Sequence, residues 1–420
     1  MKKLIADKDD KTTLCSTMGC RTYNGYDINW HDSWKNALLE VANTGELNHV
    51  VLRSPRQKDG RGNISPVTII LPTLAMQVKL KLGESISKSK VKSFLVGKFG
   101  DGHEEEFNDF SENRDMSKEY TVNIQDAYND FLLENTDKQK RIDEFFKLLD
   151  KKLIEAKNTL DERFEWQCQQ SYKSAKFMYE NNTMYGYIPE EGIESALKHG
   201  TTVIGQIGLA ETLLILIGKT QVDEEGLNLG QSIEKHIKEK CAEFKKKFYR
   251  NYGNYLTPAE NLCFKSLTKF RNQFGKIKGI SDDNEKEFFT NSTHVPVWEK
   301  IDPFKKMDIE SKLDIFSNAG CITYVELDTS AKDNLQALEK LVLQAMHDDL
   351  PYFAVNVPSD SCDDCGYQGD IGDKCPVCGS DNIQRLRRVT GYLTGSYDKQ
   401  FNKGKIDEVH HREKHEGLEI

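Results

Sequence analysis

Apolar and polar positions change period several times along the 420-residue chain. Val67-Thr68-Ile69-Ile70-Leu71 is an unbroken apolar and β-branched run closed by Pro72, which predicts a buried strand. From about 141 to 180 the spacing becomes helical, with Phe145, Phe146, Leu148, Leu149, Leu153 and Ile154, then Leu160, Phe164 and Trp166. Residues 192–219 (GIESALKHGTTVIGQIGLAETLLILIGK) predict a loop, a glycine-punctuated turn and a buried helix, and another long helix is expected near 230–252. A loop and strand are expected over FFTNSTHVPVW (288–298) and a strand near 321–327 (CITYVEL). A helix should cover roughly 331–348, and Tyr352-Phe353-Ala354-Val355-Asn356-Val357 reads as a last strand. Residues 95–140 are polar and acidic (GHEEEFNDFSENRDMS) with weak periodicity, as expected of an insertion on the surface. Alternating strands and helices imply a mixed α/β architecture with parallel strands.

Charge narrows the function classes. The chain carries 58 basic and 67 acidic side chains, a net charge of -9. That balance opposes broad nucleic-acid binding, which needs an electropositive face. No apolar run approaches the roughly 20 residues of a membrane helix, and the N-terminus turns acidic before a secretory core could form. We therefore expect a cytoplasmic protein with no membrane contact and no nucleic-acid partner.

Ten cysteines are present, four of them crowded into residues 362–378. Cys362-x-x-Cys365 and Cys375-x-x-Cys378 form two knuckles, each followed by a glycine, Gly366 and Gly379. Two thiolates on one tight turn share a tetrahedral ion, and a second such turn completes the shell. Zinc is the expected metal, although the knuckles also resemble those of rubredoxin, an iron protein. Four thiolates leave no open position, so the role would be structural. Taken alone, the cluster equally suits a nucleic-acid-binding zinc ribbon. Cys168, Cys241, Cys263 and Cys321 read as small buried hydrophobes; Cys15, five residues before Cys20, is ambiguous.

Arg387-Arg388-Val389-Thr390-Gly391-Tyr392-Leu393 follows the cluster, and then Phe401-Asn402-x-Gly404-Lys405-x-x-Glu408. Near the other end stands Met18-Gly19-Cys20-Arg21-Thr22, followed by GRGN at 60–63. With KHGTTVIGQIGLAE (198–211), YLTPAENL (255–262), FFTNSTHVP (288–296) and NAGCITYVEL (318–327), these segments resemble the anaerobic (class III, glycyl-radical) ribonucleoside-triphosphate reductases. The resemblance covers most of the chain except residues 95–140. It implies that Gly391 stores the radical. Glycine suits that task because loss of an α-hydrogen leaves a planar carbon radical, stabilised by the amide nitrogen and the carbonyl and uncrowded by a side chain.

By the same resemblance Cys20 lies at the tip of a finger loop, becomes a thiyl radical and abstracts the ribose 3′-hydrogen. Asn63, Asn291 and His294 are polar residues on matched segments that would orient ribose or phosphate. Gly200 to Thr202 would lend backbone N–H groups to a phosphate ahead of the following helix. The implied fold is α/β, the second half of a ten-stranded barrel of the glycyl-radical enzyme type. A partial barrel with its finger loop would span 1–350, with a zinc-ribbon and radical domain over 351–420. The implied substrates are ribonucleoside triphosphates, with formate as reductant, a separate radical-SAM activating enzyme and a homo-oligomeric assembly. The family's effector region, which takes ATP or deoxynucleotides, and its first half-barrel lie upstream of the Met-Gly-Cys-Arg loop. Only about 17 residues precede that loop here. The expectation is a split reductase that pairs with an N-terminal chain; a non-catalytic or degenerate fragment and a nucleic-acid-binding ribbon are the alternatives.

Overall fold

In the computed structural model, β1 (Asn63–Ile70) is the predicted strand, and Pro72 starts a helix rather than a loop. Proline suits a helix's first turn, where its missing N–H has no intrahelical partner to lose. Described residues are 27–29, 60–181, 183–259, 261–282, 286–332, 334–389, 392–394 and 396–415. Cys15, Cys20 and Gly391 lie outside them.

Leaving aside helices of five residues or fewer, β1 leads into α1 (Leu71–Gly83), α2 (Lys88–Phe99), α3 (Glu104–Asn113), α4 (Ile124–Asn135) and α5 (Lys138–Cys168). Then come β2 (Thr201–Ile207), α6 (Leu209–Ile217), α7 (Glu224–Phe248), β3 (Tyr252–Leu256) and α8 (Asn261–Phe274). The chain continues with α9 (Pro303–Asp314), β4 (Thr323–Glu326), α10 (Leu335–His347) and β5 (Phe353–Asn356). It closes with β6 (Ser359–Cys362), β7 (Gln368–Gly369), β8 (Ile383–Val389), β9 (Tyr392–Thr394) and α11 (Lys403–His410).

β1, β2 and β3 form one parallel sheet in that order, with Val67 opposite Ile204 and Gly205 opposite Tyr255. β4 and β5 form a separate parallel pair, and β7-β6-β8-β9 an antiparallel sheet. The mixed α/β class is thus present, while no sheet closes into a barrel among the described residues. Because β5 pairs with β4, the strand at 353–356 is joined to the unit before residue 350 rather than to the cysteine sheet.

Two strands escape the apolar pattern. β2 (TTVIGQI) and β3 (YGNYL) are buried along their whole length, yet carry Thr, Gln, Asn and Gly. Several of their polar side chains are bonded internally: Thr202 Oγ1 donates to Asn251 O (3.1 Å), and Gln206 Nε2 and Asn254 Nδ2 donate to the Glu234 carboxylate. Burial pushes Glu234 up to about 7 against these bonds.

The expected strand over 288–298 is instead an irregular buried loop. Two of its backbone donors are taken by buried carboxylates, and two more by the carbonyls of Cys263 and Asn291, none of them in a strand ladder. Thr290 N donates to Glu211 Oε1 (2.9 Å), Val295 N donates to Glu310 Oε1 (3.0 Å), and Ser292 sits at φ +53°.

Residues 95–140 depart furthest from expectation. They fold as the end of α2 with α3 and α4, and Phe107, Phe110, Tyr128, Phe131 and Leu132 join the main hydrophobic core. Phe110 meets Tyr128 edge-on at 5.0 Å and Tyr120 at 5.7 Å. Acidic residues occupy the outer face and mask a stripe that is apolar inside. Phe110→Ala should therefore destabilise the protein by about 3–5 kcal/mol. Denaturant unfolding measures this, and a loss below about 1 kcal/mol would return the segment to the surface.

Candidate functional site

The four-cysteine cluster is built from two knuckles at the ends of antiparallel strands. β6 ends at Cys362, and its amide donates to Tyr367 O (2.9 Å) across the first turn. In each knuckle the glycine amide reaches back to the first cysteine carbonyl, Gly366 to Cys362 (2.8 Å) and Gly379 to Cys375 (2.9 Å). Both glycines sit at φ near +75°, and a Cβ on either would meet nothing within 4 Å. Conformation, not space, demands glycine there.

All four sulfurs lie within 4.8 Å of one another, Cys362 to Cys378 at 3.5 Å and Cys365 to Cys375 at 3.6 Å. A tetrahedral ion with metal–sulfur bonds of about 2.3 Å holds its sulfurs about 3.8 Å apart, so the donor set fits a metal ion. Cys362 and Cys375 are buried with Ile371, and Cys365 and Cys378 are exposed. Burial pushes the Cys375 thiol up, but the Cys378 and Val377 amides and two sulfurs outweigh it and hold it at about 7. The Tyr367 amide favours the Cys365 thiolate, yet desolvation and three neighbouring sulfurs push it up to about 12. Crowded thiolates repel one another, and a shared cation is what offsets that repulsion.

β8 runs from this cluster to the radical-loop motif. It pairs with β9 through Arg387–Thr394, Arg388–Leu393 and Val389–Tyr392, and Val389 is fully buried. The expected radical position, Gly391, is two residues further along the sequence and lies outside the described residues.

The segment after the hairpin folds back. Asn402 caps α11 by accepting from Lys405 N (3.0 Å). Gly404 lies so close to α8 that a Cβ would meet Phe264 Cβ at 2.7 Å and Glu287 O at 2.8 Å. Lys405 is buried and pairs with Glu408 (2.6 Å), which accepts from Arg412 (3.0 Å). The Phe-Asn-x-Gly-Lys-x-x-Glu spacing therefore encodes a cap, a close approach and an i,i+3 ion pair.

Asn291 and His294 sit on the loop beyond the C-terminal ends of β2 and β3. The Asn291 amide is bonded on both sides to Ala259, donating to its O (2.8 Å) and accepting from its N (3.2 Å). His294 Nδ1 lies 3.3 Å from Glu310 Oε2. Burial raises Glu310, but the Lys306 and His294 charges hold it well below the usual carboxylate range. Both residues line a pocket shared with Lys306, Tyr324, Arg412 and His415. Its free space is about 30 Å³, roughly one water's share. Burial, then the Lys306 charge, holds His415 down at about 4, so its ring is neutral.

Asn63 is at the opposite end of the sheet, where its Nδ2 donates to Ala319 O (3.0 Å). A rise of about 3.3 Å per residue along β1 puts it roughly 20 Å from the other two. The expected phosphate cradle at Gly200–Thr202 does not form. Gly200 N donates to Leu197 O (2.9 Å), Thr201 N to Gly62 O (2.9 Å) and Thr202 N to Asn251 O (2.8 Å), so each amide is already used.

Cys241, Cys263 and Cys321 are buried, as their reading requires, and Cys168 is partly so. Burial pushes Cys241 and Cys263 up to about 12. One polar cluster had no sequence signal. Asp27 Oδ2 meets His199 Nδ1 at 2.7 Å, and Asn251 Nδ2 donates to Asp27 Oδ1 (2.9 Å), tying residue 27 to the sheet.

Comparison with known proteins gives concordant results. A family model described as anaerobic ribonucleoside-triphosphate reductase matches residues 1–415. The anaerobic ribonucleoside-triphosphate reductase of Haemophilus influenzae is 32% identical over 289 residues, covering 66% of this chain and 40% of that protein. Its Escherichia coli K12 counterpart is 32% identical over 286 residues, covering 65% and 40%. A solved anaerobic ribonucleotide reductase superposes with a TM-score of 0.50 and 18% identity, over 86% of this chain and 46% of that one, a likeness of fold. The chain spans about 40% of the length of these curated relatives.

Proposed function

The chain belongs to the anaerobic ribonucleoside-triphosphate reductase family, and from that premise we propose that it carries the radical-bearing part of such an enzyme. The observation that carries the reading is the junction of four convergent thiols with the hairpin that leads into Gly391. In this proposal zinc occupies the thiolate cluster. It supplies no open coordination position, and its role is to fold β6, β7 and β8.

Gly391 stores the spin and Cys20 draws on it. The Cys20 thiyl takes the ribose 3′-hydrogen, and the 2′-hydroxyl leaves as water. Overall, formate is oxidised to carbon dioxide while the 2′-hydroxyl is replaced by hydrogen. Water must be kept from these intermediates. We assign ribose or phosphate contacts to the Asn291–His294 loop. Asn63, at the far end of the sheet, would meet a different portion of the ligand or support the Ala319 carbonyl.

The substrates in this reading are ribonucleoside triphosphates, and a radical-SAM enzyme installs the radical. The ATP and deoxynucleotide effector sites are assigned to the part of the enzyme that this chain, matching about 40% of its relatives' length, does not cover, in a homo-oligomeric and cytoplasmic assembly. No helix among the described residues is long and apolar enough to cross a membrane. The chain with its activase alone is expected to give no deoxynucleotide, and supplying the uncovered part of the enzyme together with formate should start turnover. Anaerobic assay of deoxynucleotide formation decides this. Turnover by the chain and its activase alone would refute the need for that part, and no turnover with every component present would refute the enzymatic role.

A further inference from the structure

The segment that follows the hairpin contains an arginine with three acceptors on three different elements. Arg412 Nη1 donates to Glu326 Oε1 on β4 (2.7 Å) and to the main-chain O of Arg388 on β8 (2.9 Å). Its Nη2 donates to Glu408 Oε1 on α11 (3.0 Å). Asn356 on β5 grips the same two groups, with Nδ2 donating to Glu326 Oε2 (2.8 Å) and to Arg388 O (3.1 Å). A single carbonyl, three residues before Gly391, therefore accepts from two side chains that are themselves held by one carboxylate.

Backbone bonds reinforce the arrangement. Glu413 N donates to Val297 O (2.8 Å) and His415 N to Glu326 O (2.9 Å), so the segment is fastened directly after Arg412. The Arg388 guanidinium lies over the Tyr324 ring at 5.2 Å. Charge-assisted donors of this kind are about twice as strong as neutral ones, and a planar guanidinium fixes direction as well as distance.

We propose that Arg412, with Asn356, is a positioning residue that clamps the base of the radical hairpin to the β4–β5 pair. It sets where Gly391 is presented and touches no reacting atom. This rests on the assignment of Gly391 given above. A hydrogen-atom transfer needs close, fixed approach, and a loop anchored at one carbonyl by two donors keeps that approach from wandering.

The test uses the full chain, wild type beside Arg412→Gln and Asn356→Ala. Arg412→Gln leaves Glu326 and Glu408 without their guanidinium, so its fold is at risk; Asn356→Ala removes a donor without stranding a charge. Bound metal per chain and the unfolding midpoint report the fold. In both variants amide exchange over 386–389 and 392–394 should quicken at least about tenfold, with exchange in the knuckles at 362–379 unchanged. After anaerobic activation, the variants' glycyl doublet should broaden and lose at least half its spins per folded chain. That signature would not move if the two residues served stability alone. Wild-type exchange and a wild-type doublet in folded Asn356→Ala overturn the clamp. Absence of any doublet in the wild type overturns the radical assignment instead, and the exchange comparison then decides the clamp by itself.

Discussion

Gly391→Ala should abolish both the organic-radical signal of the activated enzyme and its cleavage by oxygen. A main-chain carbon radical survives only without dioxygen, which adds to it and breaks the peptide beside that carbon. Exposure to air should therefore release a C-terminal fragment beginning near Tyr392. The methyl group of alanine crowds the planar centre, while the pairs flanking it, Val389–Tyr392 and Arg388–Leu393, do not require glycine. Cys20→Ala should behave differently, keeping the radical and losing turnover. Anaerobic activation, electron paramagnetic resonance and mass analysis after air exposure read all three effects. A radical that persists in Gly391→Ala, or cleavage mapping elsewhere, would place the spin on another residue.

Cys375→Ser is expected to lower bound zinc from about one per chain to near zero and to melt the antiparallel sheet. Structural zinc in small thiolate sites contributes on the order of 10 kcal/mol of folding free energy, far above what this sheet can supply from Cys362, Ile371, Cys375 and Ile383. Serine keeps the turn but is a poor ligand. Loss of the metal should travel along β8, because Arg387 is paired there with Asp360 and Asp370. Elemental analysis beside near-ultraviolet circular dichroism tests it, and equal zinc in both proteins would sink the assignment. Chelator treatment of the wild type should reproduce the melting.

How much of this was legible in the sequence depends on where each residue's partner lies. The knuckles were readable because their geometry is local: a glycine directly after each Cys-x-x-Cys pair dictates the turn whatever surrounds it. β1, β4 and β5 were readable from apolar runs, as was α5 from its helical period. β2 and β3 were not, since Thr202, Gln206 and Asn254 are buried polar residues matched to Asn251 and Glu234 across the fold. The loop at 288–298 read as a strand because its composition suits one; Glu211 and Glu310, distant in sequence, capture two of its amides. Arg412 and the Asp27–His199 contact carry no motif at all. Their roles exist only once the chain has folded.

The parallel order β1-β2-β3 has a consequence for how the chain reaches its native state. Asn63 and Thr201 are neighbours in the sheet but more than 100 residues apart in sequence. Closing so long a loop is entropically unfavourable before any ladder bond rewards it, and sheets assembled from distant segments fold slowly. The helices α1 to α5 lie between the two strands in sequence, and contacts among them, such as Phe110 against Tyr128, need no closure of that loop, so they should form first. Throughout that interval Val67-Thr68-Ile69-Ile70 waits without its parallel neighbour, an apolar edge able to pair with another chain. Recovery of folded protein should therefore fall with chain concentration during refolding, and the cell would have reason to shield this strand during synthesis.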